Sequence, residues 1–230
     1  MIKNFEKFDI LLGGGFKKGS NIFFIGKTFT GATRFPLYLI SKALENGEGA
    51  VIITVDKPYT TIQDILSNYN NNLKNLRFID LYSIPTQFLD FDYDENNVVL
   101  LENRKDLDTL LNVLKRKTSE FERYRIMIPI SSLLLFIDPL EMSNFIERVS
   151  AMVRKDGSLG FYIMNSGMHE ERTVELFKRL SDGVIEFTER EGKHYFRVLG
   201  IPTAKTTAWV EFHIFKNEVV IESFTISKIR

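Results

Sequence analysis

The chain has 230 residues and no cysteine. That absence excludes disulfides, thiolate metal sites and cysteine nucleophiles, and it fits a reducing, cytoplasmic setting. Net charge is missing too, since thirty Lys and Arg offset thirty Asp and Glu. No global field would draw the protein to nucleic acid or to an anionic membrane, and no basic patch with interleaved aromatics marks a nucleic-acid site. Long apolar runs are lacking. The longest, IMIPISSLLLFI from Ile126 to Ile137, falls well short of the roughly 20 residues of a membrane span. It reads as a buried strand with its connection. The opening MIKNFEKFDILLGGG carries no signal-peptide core. Histidines are few: His169, His194 and His213 stand far apart without ligand spacing, so no histidine metal site is expected. The acidic stretch DFDYDENN, Asp90 to Asn97, lacks the calcium-loop pattern and its distal Glu, and reads as a solvated loop.

The rest of the composition is that of a folded protein, 44% hydrophobic and 26% charged. There are no repeats, linkers or low-complexity tracts, and the length suits a single domain spanning 1–230. Apolar runs (NIFFIG, AVIITV, LRFIDLY, YRIMIPI, LGFYIMN) alternate with helical patterns. Helices are expected at Thr33–Glu45, at TTIQDILSNY, at Asp106–Thr118, after Asp138 and from His169. Asp138 is a candidate N-cap, with Pro139 behind it and Glu141 three residues on. The segment Ile84–Glu102 reads as an exposed excursion. From Gly183 onward GVIEFTER, HYFRVLG, AWVEFHIF and EVVIESFTI read as short antiparallel strands, with Trp209 as sheet packing. The expectation is an α/β fold: a mostly parallel twisted sheet flanked by helices, closed by antiparallel strands.

One loop carries chemistry. GKTFTGAT, Gly26 to Thr33, fits the phosphate-binding pattern G-x-x-x-x-G-K-[ST] at Gly26, Gly31 and Thr33. Backbone N–H groups of such a loop, at a helix N-terminus, form a nest for phosphate. The lysine of the pattern is replaced by Ala32.

Beyond the loop, FDILLGGGFKKGSNIFFIG, GAVIITVDKPYTTIQDIL, LRFIDLYS, YRIMIPISSLLLFIDPLEMSNFIERV and HYFRVLGIPTAKTTAWVEFHIF resemble, in order, the segments of the KaiC-like branch of the RecA superfamily. The resemblance covers nearly the whole chain. It implies a RecA-like P-loop NTPase core of archaeal type, ATP or ADP with magnesium as cofactor, and a homo-oligomer, often a hexamer. It also implies four sets of catalytic groups, and this chain departs from each. The phosphate lysine aligns with Ala32. The acidic pair that orients attacking water aligns with Asp56 and Lys57. The metal-holding Walker B aspartate falls on Ile128 or Pro129. The Lys-x-Arg pair that reaches a neighbouring nucleotide aligns with Gly200 and Pro202.

Such combined losses imply a pseudo-ATPase: a nucleotide-binding, regulatory or scaffolding subunit, alone or with an active relative. If nucleotide binds, its contacts fall on Gly26, Lys27, Thr28, Phe29, Thr30, Gly31, Ala32, Thr33 and Arg34, with Thr33 as the magnesium ligand. Two other readings stand beside this one. Lys27 and Asp56 could replace the missing groups in an active ATPase or phosphotransferase, or the chain could bind no nucleotide and act as a protein-interaction module. Phe29 either blocks the phosphate path or packs outward. Asn165-Ser166, ending a strand, is either a phosphate-sensing pair or a plain turn.

Overall fold

The computed structural model describes residues 1–88 and 94–223. Its strands are β1 (Asn21–Gly26), β2 (Gly49–Thr54), β3 (Leu76–Asp80), β4 (Val98–Leu100), β5 (Tyr124–Pro129), β6 (Leu159–Asn165), β7 (Gly183–Arg190), β8 (Lys193–Leu199), β9 (Val210–Ile214) and β10 (Val219–Ile221). They form one mixed sheet in the order β10-β9-β8-β7-β1-β6-β5-β2-β3-β4. From β7 to β4 neighbouring strands are parallel, while β7 to β10 pair antiparallel. This is the RecA-like α/β fold read from the sequence, with its antiparallel end where the turn-rich C-terminal segment begins.

The helices are α1 (Glu6–Leu11), α2 (Arg34–Glu45), α3 (Tyr59–Tyr69), α4 (Leu107–Thr118), a single turn α5 (Ile130–Leu133), α6 (Pro139–Asp156) and α7 (Glu171–Arg179). Local chemistry sets their ends. The Asp138 carboxylate accepts from the Leu140 N–H at 2.8 Å, and Gly157 stops α6 in the left-handed region at φ 64°. Asp106 caps α4 by accepting from Thr109 N–H at 2.9 Å.

The strands of the parallel part are buried on both faces, so their side chains divide between two cores. Ile22, Phe24, Ala50, Ile52, Met127, Phe161 and Ile163 point to the core beneath α2 and α3. Phe23, Ile25, Val51, Ile53, Ile126, Ile128, Tyr162 and Met164 point to the core beneath α4 and α6. The first core continues into an aromatic cluster in which Phe35 of α2 meets Phe8, Phe187, Phe196 and Phe212, with ring centroids 5.1–5.6 Å apart. That cluster locks the helix after the loop onto the antiparallel end of the sheet.

Three expectations are corrected. YRIMIPI is not strand throughout, because the chain turns into α5 at Ile130. The excursion Ile84–Glu102 contains β4, which adds a three-residue parallel edge to β3 by burying Val98. The helix after β6 starts at Glu171 rather than His169. Half of the acidic stretch, residues 90–93, and the end of the last expected strand, residues 224–226, lie outside the described residues. Among the described residues no helix is long and apolar enough to cross a membrane.

Candidate nucleotide site

The loop Gly26–Thr33 joins β1 to α2 at the carboxyl end of the parallel strands. Two residues bend it: Phe29 at φ 69° and Gly31 at φ 95°. Left-handed residues among right-handed ones turn successive N–H groups toward one concave surface. Among the described residues the N–H groups of Phe29, Gly31, Ala32 and Thr33 meet no acceptor. Thr30 closes the turn, its N–H and hydroxyl donating to the Lys27 carbonyl at 3.3 and 2.7 Å. Neither glycine can be replaced freely. A Cβ on Gly26 would stand 2.5 Å from Thr30 Oγ1, and one on Gly31 would stand 2.6 Å from Phe212 Cζ.

Phe29 sits at the tip, 92% exposed. Its backbone carries the side chain outward, so it does not fill the loop. Ala32 is 6% exposed and belongs to the apolar core beneath α2. The methyl group is packed rather than facing an open charge site. Lys27 and Thr28 are exposed, and Thr33 is exposed just before α2. Arg34, expected near phosphate or on a solvated face, is turned to α3. Its Nε donates to Tyr69 Oη at 3.1 Å and the guanidinium lies 5.6 Å from that ring.

Alternation along the strands shows what faces the loop. Residues two beyond Phe24, Ile163, Met127 and Ile52 share their face, which gives Gly26, Asn165, Pro129 and Thr54 at the ends of β1, β6, β5 and β2. Ile128 is buried in the opposite core, so Pro129 occupies the position turned toward the loop. The row contains no ionisable group. Thr54 Oγ1 is buried and has no partner among the described residues. Asp56, two residues past β2, is the nearby carboxylate, and it accepts a short bond from the Ser132 hydroxyl of α5.

Asn165 ties these elements together. Its N–H donates to Ser131 Oγ at 2.7 Å, and its Nδ2 donates to Thr28 Oγ1 of the loop at 2.6 Å. Its Oδ1 accepts from Gly167 N–H at 3.0 Å. Asn165 is thus the cross-strand anchor of the loop. Gly200 and Pro202, the positions expected to carry the basic pair, lie in the β8–β9 connection. That connection is folded back on the N-terminal glycines: Lys205 N–H donates to Leu11 O at 2.8 Å, and a Cβ on Gly13 would overlap the Thr203 carbonyl.

A family model described as "ATPase: KaiC" matches residues 3–223. The chain belongs to the KaiC family of ATPases. A search of curated proteins found no match. Among solved structures, the KaiC-like protein PH0186 from the hyperthermophilic archaeon Pyrococcus horikoshii OT3 superposes with a TM-score of 0.70 at 18% identity, over 97% of this chain and all of that one. The flagellar accessory protein FlaH from Methanocaldococcus jannaschii superposes with a TM-score of 0.67 at 14% identity, over 95% and 96% of the two chains. At such identities the likeness establishes the fold.

KaiC-family membership implies Mg-ATP, and the two parts of that ligand fare differently here. The phosphates fit: the nest presents N–H groups that meet no acceptor among the described residues. The metal does not fit. Thr33 keeps a hydroxyl, but Pro129 offers no carboxylate, and Asp56 accepts from Ser132. Among the described residues no group of three or more His, Asp or Glu could hold a metal.

A cavity of about 540 Å³ opens beside the loop, between it and the antiparallel end of the sheet. Glu186 stands in its wall. The carboxylate accepts from Arg197 Nε and Nη2 at 2.8 and 2.6 Å and pairs with Lys178 at 3.1 Å. Burial raises the Glu186 carboxyl, but the bonds from Arg197 and Lys178 outweigh it and hold the group below its ordinary value. Trp209, expected as plain sheet packing, is half-buried in the same wall and carries two cations. The Arg197 and Arg190 guanidiniums lie 4.7 and 5.3 Å from its ring. The sequence hid this cluster because its members are spread over α7, β7, β8 and the residue just before β9.

Proposed function

We propose that this chain binds the phosphates of a nucleotide on Gly26–Thr33 and does not hydrolyse them, acting as a regulatory or scaffolding subunit. The observation that carries the reading is the uncharged row Asn165, Pro129 and Thr54 facing an otherwise well-formed loop. In active relatives of this architecture the loop lysine and a metal-held water partner do the chemistry. Here the lysine position is a packed methyl and the metal position a proline. Binding then rests on backbone N–H groups, with Lys27 as the one exposed cation within the loop. Because no carboxylate is poised for magnesium, binding needs no divalent ion.

Calorimetry with ATP and ADP, in magnesium and in EDTA, together with a phosphate-release assay, tests this. Expected are nucleotide binding that survives EDTA, no release above background, and roughly tenfold weaker binding in Lys27→Ala, the scale of one charge-assisted bond. A competing reading makes Lys27 and Asp56 the catalytic groups of an active enzyme, since both stand exposed at the same strand edge. Magnesium-dependent release that disappears in Lys27→Ala would establish that reading. Absence of any nucleotide binding would leave a protein-interaction module.

The subunit role implies association, either as a homo-oligomer, hexameric or smaller, or with an active relative that supplies the missing charges. Light scattering with and without nucleotide tests the first. The cysteine-free composition fits the cytoplasm.

A further inference from the structure

The cations of this neutral chain are not spread evenly. The connections that enter the parallel strands lie along one edge of the sheet, opposite the phosphate loop. Hydrogen bonds join them into a strip: Gly19 N–H donates to Ser158 O at 3.0 Å, Gly49 N–H to Arg123 O at 2.9 Å, and Asn75 Nδ2 to Gly47 O at 3.1 Å. Lys17 and Lys18 stand before β1, Lys74 before β3, Arg123 before β5, Lys155 before β6 and Arg179 before β7. All are exposed, and none has an ion pair among the described residues. Most carboxylates of the same edge are engaged. Glu48 pairs with Arg125, Glu120 with Arg77 and Asp182 with Arg154, while Asp156 accepts from Tyr124 Oη. From β7 to β3, at about 4.8 Å per strand, the strip is roughly 24 Å long. We infer that this edge docks the protein on an anionic lipid surface.

Helix ends account for only part of the pattern. Lys155 and Arg179 lie in the last turns of α6 and α7, where a cation complements the helix dipole. Lys17, Lys18, Lys74 and Arg123 lie outside any helix and have no such reason. Unpaired like charges along one edge repel each other, and a facing anionic surface relieves this. The strip suits lipid better than nucleic acid. The exposed aromatics Phe29, Phe88 and Phe215 stand on other parts of the molecule, so unstacked bases find no platform here. The strip is made of connections, with no helix or ribbon of its own to enter a groove. A row of single-sign charge matches the diffuse negative potential of a membrane, which demands no precise geometry. The opposite edge lies about 20 Å away, the length of a six-residue strand. That exceeds the Debye length of about 10 Å at 0.1 M salt, so the neutral net charge does not cancel the near edge. Docked this way, the protein turns Gly26–Thr33 away from the lipid.

Sedimentation with vesicles tests the inference. Vesicles of phosphatidylcholine alone are compared with vesicles holding about 30% phosphatidylglycerol, in about 50 mM and about 500 mM NaCl. The expected result is retention on the anionic vesicles at low salt, none on phosphatidylcholine, and release at high salt. One cation near such a surface is worth about fivefold in partition, so reversing two in Lys17→Glu/Lys18→Glu lowers it by about 25-fold or more. Arg123→Glu/Lys155→Glu, farther along the strip, does the same. The matched reversal Lys105→Glu/Arg172→Glu changes the net charge equally but on the opposite edge, where both side chains are exposed. It keeps binding within about twofold, because that edge lies beyond the Debye length. Equal losses in all three variants would reduce the effect to net charge and overturn the edge. Failure of the wild type to sediment with anionic vesicles, or its displacement from them by equimolar duplex DNA or RNA, would overturn the lipid surface.

Discussion

Restoring the missing lysine alone should damage this protein rather than revive it. Ala32 is 6% exposed and lies in the apolar core beneath α2. Ala32→Lys adds three methylenes and an ammonium beyond a methyl position that is already packed. Overpacking of this kind costs about 1–3 kcal/mol before any penalty for the buried charge. In a domain of this size each kcal/mol moves Tm by roughly 2–4 °C, so the unliganded variant should melt about 2–12 °C lower. Polyphosphate should narrow that gap, because the new ammonium gains its counter-charge only when ligand is bound. At a hundredfold excess over Kd, ligand returns about 2.7 kcal/mol to either protein, and more to whichever binds it more tightly. Phosphate release should stay at background, since Pro129 still offers no carboxylate to a metal. Only the double variant Ala32→Lys with Pro129→Asp rebuilds both halves of the machinery. Differential scanning calorimetry with and without tripolyphosphate, and a magnesium-dependent release assay, read the two effects. Efficient magnesium-dependent release by the single variant, or an unliganded Tm no lower than wild type, would refute the reasoning.

Three other outcomes follow from the same geometry. Gly31→Ala, with φ at 95° and a Cβ placed 2.6 Å from Phe212 Cζ, should lose about 1–3 kcal/mol in urea unfolding. Arg125→Met should cost about 3–5 kcal/mol by the same measurement, because the fully buried guanidinium pairs with Glu48 and donates to Asn4 Oδ1 and to the Lys3 and Leu39 carbonyls. The Glu186 carboxyl is held below its ordinary 4.5, so its contribution is complete above the ordinary carboxylate range and fades as pH falls through the depressed value. Trp209 emission should therefore titrate with a midpoint below 4.5 and lose that transition in Glu186→Gln.

The legible part of this fold was the part written in local patterns. NIFFIG, AVIITV and LGFYIMN are unbroken apolar runs because their strands are covered on both faces. Asp138, Pro139 and Gly157 mark the ends of α6 in the chain itself. Other features depend on distant partners and leave little local trace. β4 is three residues of an edge behind an acidic stretch, stabilised only by its pairing with β3. Arg34 follows the loop in sequence, yet Tyr69, 35 positions away, decides where it points. Glu186, Lys178, Arg197 and Trp209 have no common spacing and meet only when the antiparallel end folds against β1. Which end of β5 faces the loop likewise needed the two cores to be told apart, because Ile128 and Pro129 are both apolar.

The replacements at the loop form a set rather than a scatter. A phosphate lysine and a metal carboxylate support each other through the ligand, and without it they are unpaired charges at a partly closed sheet edge. Losing one alone would leave the other unbalanced and costly to shield. Here both are gone, and neutral groups take up the edge: a packed methyl at Ala32, a proline at the end of β5, and hydroxyl and amide bonds running from Ser131 through Asn165 to Thr28. The residual carboxylate, Asp56, is satisfied by Ser132 without metal. On the function proposed above, a loop that keeps free N–H groups beside such an edge is suited to sensing a nucleotide.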